Sequence, residues 1–242
     1  TAHGVRGRLG VTIPVDRSHR PTVVESHASP GAPRVLHVLP MDLARGAQAY
    51  ASELRSVLDR PDQLHRTVAI FTGERGTLNA DIELGVSPRH LRRFGLSPVA
   101  LFRLWRLGRR QDPVAIVAHG GEPFVYGALV KPRAAALVYY RIGVSTEALA
   151  RPVRRAAYRL LMRRVDAVAG VSTETLDDAV ALLGATFDRV TLIPNGRDPD
   201  AFLLSDQHRS PPRVVWVGHF TVGKRPEAFI SAVADLRGRG LD

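Results

Sequence analysis

From Arg34 onward, short runs of β-branched and aliphatic residues take turns with stretches patterned for helix, and this alternation limits the fold more than any other feature. The runs that predict strands are residues 35–39, 67–71, 114–118, 136–140, 167–171 and 190–193, with a weaker one near 88–92. They are apolar at consecutive rather than alternate positions, as a strand buried on both faces must be. Helical periodicity fills the gaps. After Gly46, the residues Tyr50, Leu54, Val57 and Leu58 fall on one helical face. Ser97-Pro98 places a capping hydroxyl before a proline at the first helical position, and predicts a helix to Arg110. A longer helix is expected over about 146–164, with Leu149, Val153, Ala157, Leu160 and Leu161 inward. Repeated strand-then-helix order gives the α/β class: a parallel sheet covered by helices on both faces.

The segment Gly143-Val144-Ser145-Thr146-Glu147 recurs as Gly170-Val171-Ser172-Thr173-Glu174. Each copy lies where a strand hands over to a helix, where a hydroxyl cap and a first-turn glutamate satisfy free amides and the helix dipole. It is shared turn chemistry.

Length sets the domain count. At roughly 150 residues per domain, the chain amounts to about 1.6 domains. Residues 1–33 carry Pro, Gly, Ser and His without periodicity and are expected to be a disordered leader. One complete domain is expected over 34–194 and a linker over 195–212. A second unit then opens with a strand at 213–217, a glycine-containing loop at 218–225 and a helix at 226–239. A single strand and helix cannot bury a sheet, so this second unit is read as the truncated start of a further domain.

Composition excludes several classes of function. Hydrophobic residues make up 45% and charged residues 24%, the proportions of an ordinary globular protein. No window approaches the ~18 apolar residues of a membrane span, and a cytoplasmic protein is expected. The absence of cysteine removes disulfides, thiolate nucleophiles and cysteine-bound zinc. The formal charge of +11 is carried almost wholly by arginine, with Lys131 and Lys224 the two lysines. Nucleic acid, lipid head groups and phosphorylated small molecules would all answer to such a charge. Nucleic acid is not expected, because no RNA- or DNA-binding module is present and aromatics are few.

Individual motifs narrow the chemistry. Gly218-His219-Phe220-Thr221-Val222-Gly223-Lys224-Arg225 follows an expected strand and precedes a helix, as a phosphate-cradling loop does. It lacks the Ser or Thr that would ligate magnesium, which argues against nucleotide hydrolysis. Helix-terminal amides with Lys224 and Arg225 would still attract an anion. The first strand-to-helix turn has Gly46 where a dinucleotide fingerprint needs three glycines. His119 follows the strand at 114–118, and the carboxyl ends of parallel strands are where such sheets bind ligands. No hydrolase nucleophile elbow and no H-E-x-x-H zinc motif occurs. Residues 99–110 and 151–164 are basic and amphipathic: either they lie on an anionic membrane, or their apolar side is core and their arginines are solvated.

Several of these turns, in this order, resemble the family 4 glycosyltransferases of GT-B fold. They are Val35-Leu36-His37-Val38-Leu39 with Arg45-Gly46-Ala47-Gln48; Ala167 through Thr175; Val190-Thr191-Leu192-Ile193-Pro194-Asn195-Gly196 running on to Phe202; and Val214-Val215-Trp216-Val217-Gly218-His219-Phe220 through Lys224-Arg225-Pro226. The resemblance implies two Rossmann-like domains facing across a cleft, the first binding the acceptor and the second a nucleotide-diphosphate sugar. It implies hexosyl transfer with retention of configuration, with no metal and no cofactor besides the donor substrate. Gly46 matches the glycine of the cleft loop, with Arg45 where the family has a second glycine. His119 matches a histidine near the transferred sugar. Lys224 matches the lysine that neutralises the donor diphosphate. His219, after Gly218, stands where an arginine is usual, which leaves Arg225 as the substitute cation. Asn195 marks the interdomain turn. The family's paired donor-binding glutamates lie beyond Asp242, so the chain alone is expected to have no transferase activity. The alternative expectation is a non-catalytic module that binds anions or the inner face of a membrane through its arginine-rich helices.

Overall fold

The aliphatic runs become the strands of one sheet in a computed structural model that describes residues 31–43, 46–72, 78–88, 96–143, 151–196, 214–218, 220 and 224–240. The strands are β1 (Arg34–Met41), β2 (Leu64–Phe71), β3 (Ile82–Val86), β4 (Ala115–His119), β5 (Ala136–Arg141), β6 (Ala167–Gly170) and β7 (Val190–Leu192). All pair in parallel in the order β3-β2-β1-β4-β5-β6-β7. Helices α1 (Gly46–Leu58), α2 (Pro98–Gln111), α3 (Gly121–Val130), α4 (Pro152–Met162) and α5 (Thr173–Asp178) make the crossovers. The α5 helix runs on into a π turn at Ala179–Leu183.

The sheet is covered on both faces. On one, α2 lies on β2 and β3, and α3 on β1, β4 and β5. Between them Leu36, Val38, Ile116, Phe124, Tyr126 and Leu137 lose essentially all exposure to water. Gly127 is part of this packing: a β-carbon there would stand 3.2 Å from Leu137 Cδ1. On the other face α1 packs over β2, β1 and β4 through Tyr50, Ala51 and Gln48.

Local signals place the starts of α2 and α5 where the sequence predicts them, whereas α4 begins at Pro152, after an extended Arg151, rather than near 146, and α3 had no sequence expectation. Ser97 caps α2, its hydroxyl accepting from the Ala100 amide at 3.3 Å. Ser172 and Thr175 form a reciprocal capping box on α5. In the earlier copy of that repeat, residues 144–150 lie outside the described residues.

The structure corrects four expectations. The weak strand near 88–92 does not form at Pro88, and 89–92 lie outside the described residues; the edge strand is instead Ile82–Val86. Only Leu84 and Val86 of it are buried, so its apolar signal is thin. It is anchored by Asp81, whose carboxylate accepts from the Thr67 amide and hydroxyl, each at 2.8 Å. In α1, Val57 is exposed rather than inward. Arg55 secures that last turn instead, through the His65 carbonyl at 3.2 Å and Asp81 at 2.6 Å.

The third correction concerns α4. It presents Met162, Tyr158 and Leu161 to the core, while Val153, Ala157 and Leu160 face water. Tyr158 fixes the rotation, with its hydroxyl 3.5 Å from the Gly121 carbonyl and its ring against Phe124. Thr146 and Leu149 lie outside the described residues. In α2, similarly, Phe102 and Trp105 are 57% and 43% exposed among arginines, and Ala100, Leu104 and Gly108 form the buried stripe.

The chain divides into two compact units, Thr1–Gly196 and Arg197–Asp242. Of the leader 1–33, residues 31–33 are described; of the linker 195–212, Asn195 and Gly196. In the second unit the helix α6 (Pro226–Gly238) forms as predicted. The expected strand at 213–217 is the fourth correction: residues 214–217 form no strand, and Val214, Val215 and Val217 are exposed. A strand needs a neighbour to satisfy its amides and carbonyls, and none is described beside this one.

Candidate functional site

In an open parallel sheet the chain must reverse its direction of winding once, and the two strands flanking that reversal leave a crevice at their carboxyl ends. Here the reversal lies between β1, which is followed by β2 on one side, and β4, which starts the other side. The register places His65, His37, His119 and Tyr140 on one face, because Val35 pairs with His65, His37 with Val117, and His119 with Tyr140. Side chains two residues apart on adjacent strands can then meet diagonally.

They do meet. His37 Nδ1 is 3.0 Å from His119 Nε2, and His37 Nε2 is 2.9 Å from His65 Nδ1. All three residues are at least 95% buried. Burial disfavours the imidazolium, and it lowers the His37 pKa to about 3, with the neighbouring His65 and Arg55 charges acting in the same direction. Burial and then His37 hold His119 well below the usual histidine range. His65 is lowered chiefly by burial, opposed by Asp59. The three rings therefore stand neutral at pH 7.

His119 closes β4 at the crevice, and its Nδ1 is buried without a hydrogen-bond partner. The chain then turns through Gly120, whose φ of 97° suits glycine and few other residues, into α3. No side chain caps that helix, which leaves its first amides open to an anion or hydroxyl. Glu122 in its first turn has a pKa raised by burial. Tyr140 completes the wall. Its ring lies 5.2 Å from that of His119 and 5.6 Å from Tyr50, and its hydroxyl meets the Ile193 carbonyl at 2.8 Å and Asn195 Oδ1 at 3.2 Å. At the carboxyl end of β1, Asp42 accepts from the Ala80 amide at 3.2 Å, while its second oxygen is buried without a partner. On the opposite face Arg141, fully buried at the end of β5, pairs with Asp178.

Of the residues the sequence singles out, His119 and Asn195 are brought to this site through Tyr140. Gly46 opens α1, exposed and with open space where a β-carbon would stand. Gly218, Lys224 and Arg225 belong to the second unit. A β-carbon at Gly218 would meet the Trp216 ring at 2.9 Å. Lys224 is exposed, and Arg225 precedes α6 in the left-handed region, with φ 46°. Arg45 and His219 lie outside the described residues. Sequence reasoning passed over His37, His65 and Tyr140. Their signal was an imidazole or phenol within a strand, at a position where the pleat leaves no route to water.

The family model described as Glycosyltransferase Family 4 matches residues 44–201. Among solved structures, that of Anabaena HepE in complex with UDP and glucose is 16% identical, with a TM-score of 0.52 over 71% of this chain and 47% of the other. A UDP-N-acetylglucosamine 2-epimerase is 14% identical, with a TM-score of 0.50 over 66% and 47%. The chain spans about half the length of these structures, and at such identities the likeness is one of fold. No curated protein matches significantly.

Proposed function

This chain belongs to Glycosyltransferase Family 4, and we propose that its seven-stranded unit forms the acceptor-side half of an enzyme that moves a hexosyl group from a nucleotide-diphosphate sugar to an acceptor with retention of configuration. One observation carries the reading furthest: His119 holds a buried, unpartnered ring nitrogen at the winding reversal, beside the uncapped N-terminus of α3. In the proposed reaction the anomeric carbon exchanges its bond to a diphosphate oxygen for a bond to an acceptor oxygen. The acceptor proton leaves with the diphosphate. Negative charge grows on the departing group, and fixed cations and helix-terminal amides stabilise it without reorganising. His119 faces the sugar in this reading, and Lys224 and Arg225 are the cations for the diphosphate, with Gly218 and His219 in the same loop. Gly46 and Arg45 line the acceptor side. No metal or cofactor takes part in the proposed mechanism. The fold likeness to a protein solved with UDP and glucose is consistent with such a donor.

The test is a titration of the 242-residue chain with a panel of nucleotide sugars, UDP-glucose among them, followed through backbone amide resonances. At least one is expected to shift His119, Gly120 and Gly121. A panel that leaves all three unmoved would sink the reading.

A second reading rests on the outward apolar residues of α2 and α4. Phe102 and Trp105 in the first, and Val153 and Leu160 in the second, stand exposed on helices rich in arginine. Among the described residues no helix is long and apolar enough to cross a membrane. Peripheral contact with an anionic bilayer is the mode these faces suit. Sedimentation with phosphatidylglycerol vesicles should retain the protein at low salt and lose it in Phe102→Ser/Trp105→Ser; equal retention of the variant removes this reading.

A further inference from the structure

The two hydrogen bonds that join three imidazoles carry directional information. A neutral imidazole has one N–H and one bare nitrogen, so a ring engaged at both nitrogens donates on one side and accepts on the other. His37 is such a ring, since it meets His119 through Nδ1 and His65 through Nε2. Only two arrangements of the protons satisfy both bonds. In one, donation runs from His65 to His37 to His119, which ends with an N–H on His119 Nδ1. In the other it runs from His119 to His37 to His65, and His119 Nδ1 is bare.

The ends of the chain decide between them. His119 Nδ1 is buried with no partner, whereas the outer nitrogen of His65, Nε2, is not stranded in this way. A buried orphan N–H is rarer than an under-used acceptor, so the stranded end is the place for a lone pair. The second arrangement also gives every ring its proton on Nε2, the form a neutral histidine side chain intrinsically prefers. Asp59, whose carboxylate accepts from the His65 amide at 2.9 Å, and the nearby Arg55 and Arg66 are the charged groups about the outer end.

We propose that His37 and His65 are positioning residues, which hold His119 as the Nε2–H tautomer and so present its Nδ1 at the winding reversal as a bare acceptor for a ligand hydroxyl. A bare nitrogen takes a hydrogen-bond donor, so an anion is disfavoured there, and in the glycosyltransferase reading the donor is a sugar hydroxyl. This deepens the glycosyltransferase reading for the choice of ligand, while the polarity of the chain stands on geometry alone.

Long-range nitrogen–proton correlation spectra of the 15N-labelled 242-residue protein test it at pH 7. The expected pattern is Nε2–H on all three rings, with His119 Nδ1 unprotonated. Nδ1–H on His119, or a mixture of tautomers, overturns the proposal. In His65→Ala, with an unchanged backbone amide spectrum as the check on folding, His119 is expected to become a mixture. His65→Asn, whose side-chain oxygen replaces the accepting Nδ1, is expected to restore the single form. An unaltered His119 in His65→Ala would remove the positioning role. The panel of nucleotide sugars, UDP-glucose among them, is then added to the wild-type protein. A single Nε2–H form with no binding of any nucleotide sugar would overturn the transferase reading and leave the imidazole chain intact, whereas binding alongside Nδ1–H would do the reverse.

Discussion

A histidine buried without charge is a liability in acid. His37, His65 and His119 all have folded-state pKa values below the unfolded value near 6.5, that of His37 at about 3. The unfolded chain therefore binds more protons between these limits. The stability these rings support is fully present above about pH 6.5 and is lost as pH falls below it, for His37 down to about pH 3. His37 contributes a slope on the order of 1 kcal/mol per pH unit between about pH 6.5 and 3, and the other two act in the same direction. Urea denaturation between pH 7 and pH 5 should show a steep loss for the wild-type chain and a shallower one for His37→Gln; parallel curves would count against neutral burial. The candidate site was half legible at this scale. His119 announced itself by its place after a strand, but His37 sits within an aliphatic run and His65 just ahead of one, and nothing local distinguishes a histidine that meets another from one that meets a carbonyl.

At the scale of elements, helix starts obey short-range chemistry and helix rotations do not. The Ser97 hydroxyl caps α2, and its amide donates to Tyr126 Oη at 2.8 Å, so this cap is tied to α3 as well. Ser97→Ala removes the first interaction and keeps the second. It should destabilise the protein by about 1 kcal/mol, read from the shift in urea midpoint at constant slope. Such caps were legible because a hydroxyl, a proline and an amide lie within four residues of one another. The inward face of α4 was not. Val153 and Leu160 satisfy the helical period as well as Tyr158 and Met162 do, and the choice fell to Tyr158 because Phe124 and the Gly121 carbonyl lie within its reach. Val57 lost its place in α1 for a similar reason: Arg55 found two carboxylates and a carbonyl, which a sequence window cannot show.

For the whole molecule, stability is concentrated in the first unit. β1 and β4 lie in the middle of the sheet with fully buried side chains, whereas none of the described residues of 214–240 is buried. Local opening free energies range from near zero in such poorly packed segments to the global value in a core. Amides of α6 should thus exchange with deuterium at least about 100-fold faster than those of β1 and β4, as read by mass spectrometry or NMR; comparable protection would show a core that these residues do not reveal. By itself the sequence determined the α/β class, six of the seven strands, the starts of α1, α2, α5 and α6, and His119 at a strand end. These follow from interactions within a few residues: side-chain period, caps and turns. Tertiary structure decided the strand order, and with it which two strands flank the winding reversal. That order juxtaposes His65, His37 and His119, 28 and 82 residues from one another in their two contacts. Long-range pairing is settled by the burial of whole faces at once, so no local stretch of sequence encodes it.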